Sequence, residues 1–118
     1  MAEIQLGIIE KLFADIIWSM EPVSTSDLVK AAKDELGWAR TTTYTVLHRL
    51  CNKGLFVNEK SVVTSLISKD SFYTLQSRRF VEETFDGSLP KFLAAFTGEK
   101  KLTKKEADVL RKMIDEAE

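Results

Sequence analysis

Arg40-Thr41-Thr42-Thr43-Tyr44-Thr45-Val46-Leu47-His48-Arg49-Leu50-Cys51-Asn52-Lys53-Gly54 is the stretch on which the fold turns. Its apolar residues recur at helical spacing, which predicts a helix over about 41–53 that Gly54 ends. At about 100° per residue, with Leu47 at zero, Thr43 falls near −40°, Leu50 near −60° and Cys51 near 40°, all facing inward. On the same wheel Thr41, Thr42, Thr45, His48, Arg49, Asn52 and Lys53 lie between about 100° and 240°, with Tyr44 on the border near 60°. That outer face holds no aliphatic residue and no carboxylate. Threonine hydroxyls can meet base edges or phosphates, their methyls can touch thymine, and arginine can grip guanine or phosphate. A carboxylate there would repel phosphate. The threonines cost about half a kcal/mol each in helix propensity relative to alanine, a poor choice for stability alone. An ordinary solvated face mixes both signs of charge, as Lys30, Lys33, Asp34 and Glu35 do in the preceding segment.

Upstream, Ser24-Thr25-Ser26-Asp27 reads as a capping box, with Ser24 as N-cap and Asp27 in place of the usual Glu. Leu28, Ala31, Ala32 and Leu36 then give the buried stripe of a second helix, and Gly37 sits where a helix-ending glycine is expected. Before it, Leu6, Ile9, Phe13, Ile16, Ile17 and Met20 predict a first helix over about 4–20, stopped by Glu21-Pro22, with Val23 a candidate short strand. Downstream, Leu55-Phe56-Val57 and Val62 to Ile67 are β-rich runs separated by Asn58-Glu59-Lys60-Ser61, a small hairpin. A fourth helix starts at Ser68-Lys69-Asp70 and reaches about Phe85, and Asp86-Gly87 turns the chain. Ser88 caps a short helix, and Thr103 with Glu106 forms a full capping box for the last one. The fold class is therefore mainly α with a small β-hairpin: a winged helix-turn-helix domain over 1–68, then a C-terminal helical region over 69–118. Phe72, Phe80, Phe85, Leu89, Phe92, Phe96, Leu110, Met113 and Ile114 need cover that so small a region does not supply, and a second copy of the chain is the simplest cover.

At 118 residues and 44% hydrophobic, the chain is one domain or one domain with a short appendage, and it is too evenly apolar to be disordered. No apolar run reaches the length of a membrane span, and the N-terminus lacks a basic region and a cleavage pattern. The lone Cys51 cannot form an internal disulfide, which suits a cytoplasmic protein. The formal net charge of −1 argues against a non-specific polyanion binder. It conceals an asymmetry: residues 1–37 carry −4, residues 38–60 carry +3, residues 61–90 carry −1 and residues 91–118 carry +1. The clear positive excess thus coincides with the third helix and the turn after it.

Four segments, in order and spacing, resemble the penicillinase-repressor family, the BlaI/MecI type of winged-helix repressor. They are Ile17-Trp18, Gly37-Trp38, the run Thr42-x-x-Thr45-x-x-x-Arg49-Leu50-x-x-Lys53-Gly54-Leu55, and Phe85-Asp86-Gly87-Ser88-Leu89. The resemblance covers about Leu6 to Glu118. It implies a homodimer on a dyad operator with TACA-type half-sites, the third helix in the major groove and the C-terminal helices forming the dimer. It also implies a sensor-linked protease that cuts before a Phe in the segment matching Leu93-Ala94-Ala95-Phe96, which makes Ala95 and Phe96 the cleavage candidates. The chain departs from the family in three places. The hairpin is about four residues short and lacks a Gly-Arg tip, leaving Lys60 as its cation; Ala95 stands where the best-known cleaved members have Asn; and Ala39-Arg40 stands where Pro or Ser-Pro is frequent.

Other constellations carry less. His48 and Cys51 are three residues apart but diverge by about 60° on the helix, and a zinc or copper site needs three or four ligands. No metal or cofactor is expected, and no glycine-rich phosphate loop or oriented nucleophile suggests an enzyme. Trp18 and Trp38 read as core, and Lys100, Lys101, Lys104 and Lys105 as a solvated loop. The expected partners are double-stranded DNA, a second copy and a sensor-linked protease. The expected DNA-facing set is Thr25, Ser26, Arg40, Thr41, Thr42, Tyr44, Thr45, His48, Arg49, Lys53 and Lys60. The rival reading is a winged-helix protein-interaction module without DNA binding, suggested by the short hairpin and the net charge.

Overall fold

The computed structural model describes residues 5–117; Ile4, expected in the first helix, and Glu118 lie outside them. Its elements run α1 (Ile8–Met20), β1 (Val23–Ser24), α2 (Thr25–Leu36), α3 (Arg40–Asn52), β2 (Phe56–Glu59), β3 (Val62–Ser65), α4 (Lys69–Phe85), α5 (Leu89–Phe96) and α6 (Lys104–Ala117). They fall into two compact units, one ending at Thr74 and the other beginning at Leu75.

The first unit is built on amphipathic stripes. α1 buries Phe13, Ala14 and Ile17, α2 buries Leu28 and Ala32, and α3 buries Thr43, Val46, Leu47 and Leu50. Leu55, Phe56 and Val63 complete the core from the hairpin. The end of α2 is set by Gly37 at φ 70°, a left-handed conformation that suits glycine, with its N–H donated to the Lys33 carbonyl at 3.0 Å. The sheet is antiparallel in the order β1-β3-β2, with Val23 opposite Val63 and Phe56 opposite Ser65. The short strand at Val23 thus joins the hairpin and ties the start of α2 to the wing. The Thr25 N–H adds to this by donating to the Ser61 carbonyl at 3.0 Å. The wing turns on Lys60 (φ 51°) and Ser61 (φ 63°). A tight two-residue hairpin with both central residues at positive φ favours Asn-Gly, so Lys-Ser carries strain there.

Phe72 corrects an expectation. It is 1% exposed and packs on Trp18 with ring centroids 5.5 Å apart, so it belongs to the core of the first unit and not to a seam between copies. Trp18 also meets Phe56 at 5.3 Å, and its Nε1–H donates to the Ile67 carbonyl at 3.1 Å. Beside it Tyr73 donates its hydroxyl to Asp15 Oδ1 at 3.1 Å. These contacts draw the first turn of α4 into the first unit, so the division lies beyond the 68/69 boundary expected from sequence.

In the second unit Phe80, Phe85 and Phe92 pack edge to face at 5.6 to 6.1 Å. Ser88 caps α5 through the Lys91 N–H, and Thr103 and Glu106 exchange backbone-to-side-chain bonds at the start of α6. Neither α5 nor α6 buries a residue.

Replacing Phe72 with Ala should lower unfolding stability by about 3–5 kcal/mol, because it opens a cavity against Trp18 and Tyr73. Denaturant unfolding followed by tryptophan fluorescence measures it; a loss well under 1 kcal/mol would contradict the core assignment.

Candidate nucleic-acid interface

The inner stripe of α3 fixes its outer face. With Thr43, Val46, Leu47 and Leu50 packed inward, Thr41, Thr42, Thr45, His48, Arg49, Asn52 and Lys53 are all exposed, as the wheel predicts. Tyr44 is half-buried, with the Arg40 guanidinium 5.4 Å over its ring. This contact holds Arg40 at the first turn of the helix. Thr43 Oγ1 donates to the Ala39 carbonyl at 3.2 Å, and Thr45 Oγ1 to the Thr41 carbonyl at 2.9 Å. The Thr45 hydroxyl therefore has its proton engaged, and it presents an acceptor and a methyl outward. The N-cap Ala39 makes no side-chain cap bond, so the helix opens on backbone N–H groups next to Arg40.

Two expected contact residues differ from the sequence reading. Thr25 is 7% exposed, buried at the join of β1 and the wing, so of the Thr25-Ser26 pair only Ser26 is at the surface. Lys53 is turned toward α1, where its Nζ donates to Glu10 Oε1 at 2.9 Å and to the Gln5 carbonyl at 2.8 Å. Sequence reasoning passed over Glu10. The signal was there: it is the third residue after Gly7, where a carboxylate accepts the N-cap N–H, as it does at 3.0 Å. That bond, and then Lys53, hold the Glu10 carboxyl below the usual carboxylate range. Lys60 is exposed at the wing tip.

Among the described residues no group of three or more His, Cys, Asp or Glu side chains could hold a metal ion, and no helix is long and apolar enough to cross a membrane. Cys51 is half-buried, and burial pushes its thiol above the usual range.

The second unit carries the other expected site residues. Phe80, Leu89, Phe96, Met113 and Ile114 are exposed by 51 to 63%. Phe85, Phe92 and Leu110 are half-buried. Phe92, Phe96, Leu102, Val109 and Leu110 line an open apolar cleft of about 480 Å³. The Ala95–Phe96 peptide bond lies in the last turn of α5, where the Thr97 N–H donates to the Leu93 carbonyl at 3.0 Å.

Three helices, a three-stranded wing and an acid-free third-helix face define a winged-helix protein. Residues 6–116 match the penicillinase repressor family, a family of transcriptional repressors, and the chain belongs to it. The penicillinase repressor of Bacillus licheniformis is 24% identical over 105 residues, covering 86% of this chain and 82% of its own. The methicillin resistance regulatory protein MecI of Staphylococcus aureus is 22% identical over 107 residues, covering 87% of each chain.

The protonated, half-buried Cys51 should alkylate with iodoacetamide more slowly in the folded protein than in the denatured chain at neutral pH. Equal rates would contradict its packing between α3 and the hairpin.

Proposed function

We propose that this protein is a homodimeric, sequence-specific DNA-binding transcriptional repressor acting on a dyad operator. The observation that carries the reading is the α3 face: exposed Thr41, Thr42, Thr45, His48 and Arg49, with no carboxylate among them. Membership of a repressor family supports it. In this reading α3 lies in the major groove, where the threonines, His48 and Arg49 meet base edges and Tyr44 flanks them. Arg40 and the open N–H groups of the first turn, Ser26 at the start of α2, and Lys60 on the wing hold phosphates on either side.

The dimer reading rests on the exposed apolar residues of α5 and α6 and on the cleft between them. A second copy laid on Phe96, Val109, Met113 and Ile114 removes this surface from water, at about 25 cal/mol per Å² of apolar area. A dimer also presents two α3 faces, which doubles the local positive charge. Control by a sensor-linked protease belongs to the same reading. The Ala95–Phe96 bond sits in helical backbone, so a cut there requires the last turn of α5 to open first.

Thr45→Ala and Arg49→Ala should each lose about 1–3 kcal/mol of specific duplex binding, read by footprinting on the operator. Unchanged footprints in both variants would overturn the assignment of the reading face. Sedimentation at micromolar concentration should show a dimer, and Phe96→Ala should shift it toward monomer; a wild-type monomer would contradict the dimer. A protein-interaction module would show no duplex affinity for salt to weaken.

A further inference from the structure

We propose that Glu10 lowers the affinity of this protein for duplex DNA of any sequence by withholding Lys53 from the phosphate backbone. The inference rests on the DNA-reading role of α3 proposed above. Lys53 caps the C-terminal end of α3, on the same exposed face as Arg49 and Asn52. With Arg49 it is one of two cations at that end of the helix. Its ammonium is held by Glu10 Oε1 at 2.9 Å and the Gln5 carbonyl at 2.8 Å. A carboxylate oxygen accepting from an ammonium makes the same charge-assisted bond that a phosphate oxygen would make. Glu10 therefore occupies Lys53 with an internal substitute for phosphate.

The pair is anchored on the carboxylate side. Glu10 is 14% exposed at its side chain, and its Oε1 also accepts the Gly7 N–H at 3.0 Å, fixing it to the start of α1. Its Oε2 is buried without a hydrogen-bond partner, so the charge leans on Lys53 for compensation. Lys53, at 37% exposure, is the half of the pair that reaches solvent. Phosphate contacts carry no sequence information, so each cation taken from the backbone lowers affinity for every duplex and leaves discrimination to the base contacts of α3. With a short wing bearing Lys60 alone, this protein binds with few phosphate contacts, and Glu10 removes one more.

The test is binding of a fluorescent random-sequence duplex across a salt series by wild type, Glu10→Gln, Lys53→Ala and the double variant. Glutamine keeps an acceptor for the Gly7 N–H, and thermal melts confirm folding. The expected result is severalfold tighter binding by Glu10→Gln at low salt. Its log–log salt slope should be steeper by about 0.9, one phosphate contact. Lys53→Ala should remove both effects in the Glu10→Gln background and leave the wild-type slope unchanged. An unchanged slope in folded Glu10→Gln overturns the proposal, as does weaker binding by that variant, which would make Glu10 a structural support of α3. If Glu10→Gln does not fold, Lys53→Ala decides alone: a slope shallower by about 0.9 than wild type means that Lys53 already holds phosphate. No binding by the wild type at any salt would instead overturn the DNA-reading role itself.

Discussion

Everything else in the first unit depends on the burial of one side of α3. Thr43, Val46, Leu47 and Leu50 are packed among Phe13, Ile17, Leu28 and the hairpin residues Leu55 and Phe56. Each aliphatic residue buried there contributes about 1.5–3 kcal/mol relative to exposure. Because a helix is rigid about its axis, fixing that stripe also fixes the opposite one. The chain thus has no freedom in which side chains it shows: the threonines, His48 and Arg49 face outward because the leucines face inward. Trp18 extends the same core, bridging Phe56 of the hairpin and Phe72 of α4.

Much of this was legible from sequence, for physical reasons. Helix boundaries came from local chemistry: Ser24 accepting the Asp27 N–H, Ser88 accepting the Lys91 N–H, and the Thr103–Glu106 exchange are each contained within four residues. The orientation of α3 followed from its period. What sequence could not give were contacts between residues far apart in the chain. The Lys53–Glu10 pair spans 43 positions, and the Trp18–Ile67 bond spans 49. Phe72 looked like its neighbouring aromatics Phe80 and Phe85 because composition is the same; only the position of Trp18 separates them. Thr25 is polar and sits at a helix start, a surface location by type, yet the pairing of β1 with β3 covers it.

The two units satisfy their apolar surface to different degrees. The first closes a core of its own, whereas α5 and α6 of the second bury nothing fully and leave Phe96, Met113 and Ile114 about 60% exposed. Such a contrast within one chain fits the proposed reading, in which a second copy covers the apolar residues of α5 and α6. The electrostatics is similarly divided. The α3 face itself carries no acid, while the lysine at its end is paired with Glu10 of α1. With a net charge of −1, the proposed reading of DNA depends on a concentrated face and not on bulk charge.

The most direct test of the central claim is selection from random duplex DNA with the purified protein, at low and at physiological salt. Enrichment of one two-fold symmetric site that survives physiological salt is the predicted result, since paired α3 faces read two half-sites related by the dimer axis. Recovery of no motif, with only weak binding that vanishes as salt rises, would contradict it and leave the α3 face without a role in reading DNA.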